Sequence, residues 1–127
     1  MIISKKTKHT QKLVKVPAVR VHKCGHFVFN KASVELLEID NPTEEGVVFG
    51  YDNPSVFVAY SKEVDAYRGS YKNGESSFRF ASKYEADNIM SAYGLSDKIA
   101  VLEVSDKPED VVILDGYKFF KLKRLVV

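Results

Sequence analysis

The stretch VHKCGHFVFN, Val21 to Asn30, holds the only cysteine of the chain, Cys24, between two of its three histidines, His22 and His26. It reads either as a metal cluster or as two short strands joined by a turn at Gly25. On a single strand the same-face positions 22, 24 and 26 are about 6.6 Å apart, at a rise of ~3.3 Å per residue. Zinc ligands must each lie within ~2.0–2.3 Å of the ion. Gly25 could bend the chain, but the remaining histidine, His9, lies far upstream. Cys24 has no acid nearby in sequence to orient it as a nucleophile. The turn reading accounts for more, and no metal or other cofactor is expected.

Working outward, KLVKVPAVRVHK (residues 12–23) alternates apolar and polar side chains and changes phase at Pro17. That pattern predicts an edge strand or a bulge, because proline donates no ladder hydrogen bond. KASVELLEI (31–39) predicts a short helix, ended by Asn41-Pro42. VVFGYDNPSVFVAY (47–60) predicts a hairpin around Asp52-Asn53-Pro54-Ser55. Residues 62–76 are polar and read as a loop or a weakly ordered strand pair. Phe78-Arg79-Phe80 then echoes Phe27-Val28-Phe29. A second helix follows in SKYEADNIMSAYGL (82–95), with Gly94 as its stop. KIAVLEVS and VVIL flank Asp106 to Asp110 much as the earlier strands flank Asp52. Asp115-Gly116 signals a last two-residue hairpin.

Each half thus runs strand, helix, strand, turn, strand. The expected fold class is α+β: mostly antiparallel β of about seven strands with two short helices. An internal βαββ duplication, a pseudo-dimer with half-repeats 13–61 and 76–127, is one reading of the pattern. Residues 1–12 read as a flexible basic arm, and residues 13–127 as a single domain. The eight Phe and seven Tyr fall mainly on predicted strands, where core packing is their ordinary role and base stacking the sharper alternative.

The 127 residues are 45% apolar and 28% charged, the make-up of a soluble globular domain. A single cysteine excludes an internal disulfide framework. No apolar run approaches the ~18–20 residues that span a membrane. The first residues lack the apolar stretch of a signal peptide, so the expectation is a cytoplasmic protein. Charge is segregated. Residues 1–34 carry eight Lys and Arg and no acid, whereas residues 35–115 carry all 17 acids against seven bases. The last twelve residues carry four further bases, so both ends are basic around an acidic middle. Such asymmetry hints at a polyanion partner; a solvated tail or a charged edge strand explains it equally.

AVRVHKCGHFVFNKASVELLEI, with Glu44-Glu45 and the hairpin after it, resembles the AbrB/MazE-type swapped-hairpin family over about residues 13–60. The family order is strand, glycine turn, apolar strand, short helix, acidic connection and hairpin. The chain departs from it at His26, where the family has a basic residue, and at Asn30, where it has a proline. The resemblance implies DNA binding through the first strand and its turn. The residues concerned are Arg20, Lys23 and His26, with Lys15 close by. Lys5, Lys6 and Lys8 of the arm would add phosphate contacts.

The chain contains no GxGxxG, Walker, GxSxG, HExxH or CxxC motif. Its paired acids fall in predicted turns. The expected protein is therefore a non-enzymatic DNA-binding regulator or antitoxin-like module, of phage or bacterial type, with double-stranded DNA, a protein partner or a homodimer mate. The alternative is a protein-interaction or structural module of a larger assembly, for example a phage particle, with partner-ordered basic termini.

Overall fold

The structure, a computed structural model, describes residues 16–69 and 78–125. Among these residues nine strands are seen: β1 Ala18–His22, β2 His26–Phe29, β3 Gly46–Asp52, β4 Ser55–Ser61, β5 Tyr67–Arg68, β6 Phe78–Ala81, β7 Ile99–Ser105, β8 Val111–Leu114 and β9 Tyr117–Arg124. The helices are α1 Lys31–Leu37 and α2 Lys83–Ala92, with a single 3₁₀ turn at Pro108–Asp110. All strand pairings are antiparallel, in the order β5-β3-β4-β9-β7-β1-β2-β6, with β8 also on β9.

The sheet curls into a nearly closed barrel, and 47% of the described residues are strand against 20% helix. This corrects the α+β expectation. The helices do not form a layer of their own. Their buried residues, Val34 and Leu37 of α1 and Ala86, Ile89 and Met90 of α2, join the same core as Val19, Val21, Phe27, Val58, Leu102 and Leu122 of the strands. Helix α2 contacts both β2 and β4, which three strands separate in the sheet. It therefore lies across an open end of the barrel. Tyr93, its C-cap, fixes it there: the hydroxyl donates to the Leu122 carbonyl and accepts from Val56 N at 3.1 Å.

The barrel closes where β5 and β6, the two ends of the strand order, meet. Gly69 lies so near β6 that a Cβ there would sit 1.8 Å from the Arg79 carbonyl oxygen, so only glycine allows this approach. Aromatic rings fill the seam. Phe80 stacks on Phe27 at 4.9 Å and on Tyr67 at 5.1 Å, and Phe49 packs against Phe27 at 5.4 Å. Phe27, Phe29 and Phe78 are fully buried. These rings are therefore core rather than a platform for bases, and such pairs each add about 0.5–1.5 kcal/mol beyond burial.

Three further expectations meet the structure differently. The hairpin of residues 47–60 forms, with Gly46 opposite Ser61 through Asp52 opposite Ser55. The Asp115-Gly116 hairpin forms too, both residues taking positive φ, 52° and 83°. The third, that β7 and β8 form a hairpin, fails. One edge of β9 carries β4 along residues 119–121; the other carries β8 along 117–120 and then β7 along 121–124. β7 and β8 are thus one line of strand interrupted by the loop 106–110. The two halves pair differently, which removes the duplication as an account of the fold. Nor is β1 an edge strand: it lies between β7 and β2. Pro17 falls just before it, and its carbonyl accepts from Val104 N at 2.8 Å.

Candidate nucleic-acid interface

Alternation along the barrel strands sends one side chain inward and the next outward. On β1, Val19 and Val21 are buried, so Arg20 points out. Register then builds a row across four strands: Val101 of β7, Arg20 of β1, Val28 of β2 and Arg79 of β6. The next row is Ile99, His22, His26 and Ala81, since the same register sets His22 opposite His26. Their rings meet edge to face with centroids 6.3 Å apart. Val101 and Ile99 are 43% and 47% exposed, and Arg20, Arg79 and His26 are exposed.

The β1–β2 turn brings in more charge. Gly25 has φ +112°, and a Cβ there would lie 3.0 Å from Lys83 N. A side chain would therefore be strained in conformation and crowded against α2. The Gly25 carbonyl accepts from Ser82 N at 2.8 Å, and Ser82 caps α2 by accepting from Glu85 N. Lys23 N donates to the Lys98 carbonyl at 2.7 Å. These contacts gather Lys23, Lys83 and Lys98 with His22, Cys24 and Ile99 around one open depression. Lys83 also pairs with Asp87 at 2.6 Å, an exposed i,i+4 pair worth about 0.2–0.5 kcal/mol.

His22 registers this crowding. Partial burial first, then the positive charges of Arg20 and His26, hold its pKa below the usual value of 6.5. A group that resists protonation for those reasons would take up a proton more readily beside a bound anion. Asn30, a departure from the swapped-hairpin pattern, has a local role: it caps α1. Its Oδ1 accepts from Ser33 N at 2.9 Å and Ala18 N at 3.1 Å, and its Nδ2 donates to Val16 O at 2.7 Å. It so pins the start of β1 to the helix.

Of the expected site residues, Arg20, Lys23 and His26 come together on this face. Lys5, Lys6, Lys8 and Lys15 lie outside the described residues. Arg79, Lys83 and Lys98 join the site from distant parts of the chain, and only strand order reveals them. The C-terminal bases are placed otherwise. Lys123 faces Glu103 and donates to Asp110 at 3.2 Å. The Ser105 hydroxyl, 2.6 Å away, and then Lys123 hold the buried Asp110 carboxyl below the usual carboxylate pKa. Lys118 lies 5.4 Å from the centre of the Phe120 ring.

Cys24 is free and exposed, and among the described residues no three His, Cys, Asp or Glu side chains are grouped to hold a metal ion. Among them, too, no helix is long and apolar enough to cross a membrane. Comparison with protein-family models, curated proteins and solved structures finds no match.

Proposed function

We propose that this protein binds nucleic acid, with duplex DNA as the partner, through the outer face of β7-β1-β2-β6. The observation that carries this reading is the convergence of Arg20, Arg79, Lys23, Lys83, Lys98 and two histidines on one outer surface. Cations spread over a sheet face and around an open depression suit phosphates along a backbone better than a small anion in a closed pocket. The reading agrees with the first-strand cations that the swapped-hairpin resemblance implies. It needs no catalytic group and no cofactor.

The test is an Arg20→Ala/Lys23→Ala double variant, titrated against a labelled random duplex at low salt. Affinity falls about tenfold or more, because removing two phosphate contacts also lowers the salt slope by about 1.8. Circular dichroism should show an unchanged fold, since both side chains are exposed. Unchanged affinity in the folded double variant overturns the assignment. A second reading, a module of a larger protein assembly, is favoured by one separate observation: Val112, Ile113 and Leu114 are 41%, 75% and 57% exposed.

A further inference from the structure

We propose that β8 is a self-pairing edge, through which two copies of this chain join their sheets about a two-fold axis at Val112. Among the described residues β8 pairs only with β9, so its far edge presents unpaired backbone. Asp115-Gly116 is a two-residue turn, which makes Leu114 and Tyr117 a hydrogen-bonded pair. Alternation then directs the N–H and C=O groups of Val111 and Ile113 away from β9, onto the free edge. Natural sheets usually protect such an edge with charge, proline or a bulge. Here it reads Val-Val-Ile-Leu, and three of the four residues are exposed, Ile113 and Leu114 by more than half.

A second copy fits this edge because the edge complements itself. A two-fold axis perpendicular to the sheet pairs residues whose numbers sum to 224. Val111 then faces Ile113 of the other copy, twice over, giving four backbone hydrogen bonds. Val112 faces its own counterpart at a non-hydrogen-bonded position, where side chains come closest. Every strand pair within Val111–Ile113 is β-branched on β-branched, a favoured cross-strand match. Beside the strand, Val112 continues into the half-buried Phe119 and Val48, with the fully buried Ala59 between them in register. Phe119 covers Gly50 there, where a Cβ would lie 3.0 Å from the ring, and a depression opens between Tyr51, Phe57, Val112, Leu114 and Phe119. The axis sets the apolar rows of the two copies side by side on one surface. Glu109 of each copy approaches Asp115 of the other at the two ends of the pairing, like charge to like, so salt tightens the dimer. The exposed side chains are too few to supply the roughly 800 Å² per partner of a tight complex, which makes this a weak, concentration-dependent dimer.

Sedimentation equilibrium of the full chain tests it. The apparent mass should rise from 14.3 kDa toward twice that as concentration increases into the hundreds of micromolar, and rise further in added salt. Val112→Glu and Val112→Lys should each weaken association at least tenfold, because like charges then meet across the axis. An equimolar mixture of the two should restore it. A chain that stays at 14.3 kDa throughout overturns the proposal, as does a mixture of folded variants that stays monomeric. Should a variant fail to fold, hydrogen exchange on the unaltered chain decides: Val111 and Ile113 amides must become protected only as concentration rises. Protection already present in the dilute monomer means the chain covers its own edge. Rapid exchange at every concentration means another protein is the partner. Either result overturns the proposal.

Discussion

Two four-strand rows on the outside of one barrel carry opposite chemistry. Val101-Arg20-Val28-Arg79 runs across β7, β1, β2 and β6; Val48-Ala59-Phe119-Val112 runs across β3, β4, β9 and β8, with Ala59 itself fully covered. The inward residues beneath both rows are similar, Val, Phe and Leu packed into one core. The interior thus sets the shape, while the alternate positions, free of that duty, set what each face can meet. On the proposed reading, one face meets phosphates and the other meets apolar surface. A small domain can in this way carry two unrelated interactions on a single sheet.

The largest expected effect removes what the faces share. Phe27→Ala takes a fully buried ring out of the seam, where it touches Phe49 and Phe80. It should cost about 3–5 kcal/mol in urea unfolding, and duplex binding and self-association should fail together wherever the variant unfolds. If one survives that unfolding, the two faces do not depend on one core.

A charge-matched pair of substitutions sharpens the contrast. Val101 and Val112 occupy outer positions on the two rows and are almost equally exposed, 43% and 41%. Val101→Lys should strengthen duplex binding severalfold and raise the salt slope by about 0.9. Val112→Lys adds the same charge to the other face and should not strengthen it.

Smaller still is a pH effect confined to the basic face. The His22 pKa lies below its ordinary value in the free protein. A bound polyanion opposes that shift, so binding takes up protons and affinity should rise between pH 8 and pH 5.5, by up to a few-fold. His22→Ala should flatten the profile; an unchanged slope in that variant removes His22 from the site. The sign for stability is the reverse. A depressed histidine pKa means the unfolded chain binds more protons, so His22 makes the fold less stable as pH falls below 6.5.

The smallest effect concerns the loop that separates β7 from β8. Asp110, held in its ionised form by Ser105 and Lys123, contributes stability that is present above the ordinary carboxylate pKa near 3.8 and lost as pH falls through its lowered value. Asp110→Asn should lower Tm modestly at pH 7, and the difference from the unaltered chain should shrink to nothing once the pH is below the lowered Asp110 value. A difference that persists there means the loop is held by packing instead.

What the sequence revealed and what it hid divide along the range of the interactions. Gly25, Gly94 and Asp115-Gly116 mark their turns and helix stop by their own backbone chemistry, and the helix and hairpin patterns need only neighbouring residues. The barrel depends on contacts no local pattern carries. Pro17 suggested an edge because it interrupts an alternating run, yet it ends just where β1 begins, and β7 then pairs with that strand. The five residues 106–110 looked like a hairpin turn because β-rich runs flank them. They are an excursion in a single line along β9, which only the register of Tyr117–Arg124 exposes. The site shows the same split. Arg20, Lys23 and His26 lie within seven residues and could be read directly. Arg79, Lys83 and Lys98 reach the same face only because β6 and β7 flank β1 and β2.

The most direct test of the two-faced barrel is fluorescence anisotropy of a labelled random duplex with the unaltered chain, Val101→Lys and Val112→Lys, each titrated at low and at physiological salt. The account predicts binding by the unaltered chain that weakens steeply with salt, a severalfold gain for Val101→Lys and no gain for Val112→Lys. Equal gains for the two lysines would mean that net charge alone drives binding, and no binding by any of the three at low salt would contradict the basic face as a nucleic-acid surface.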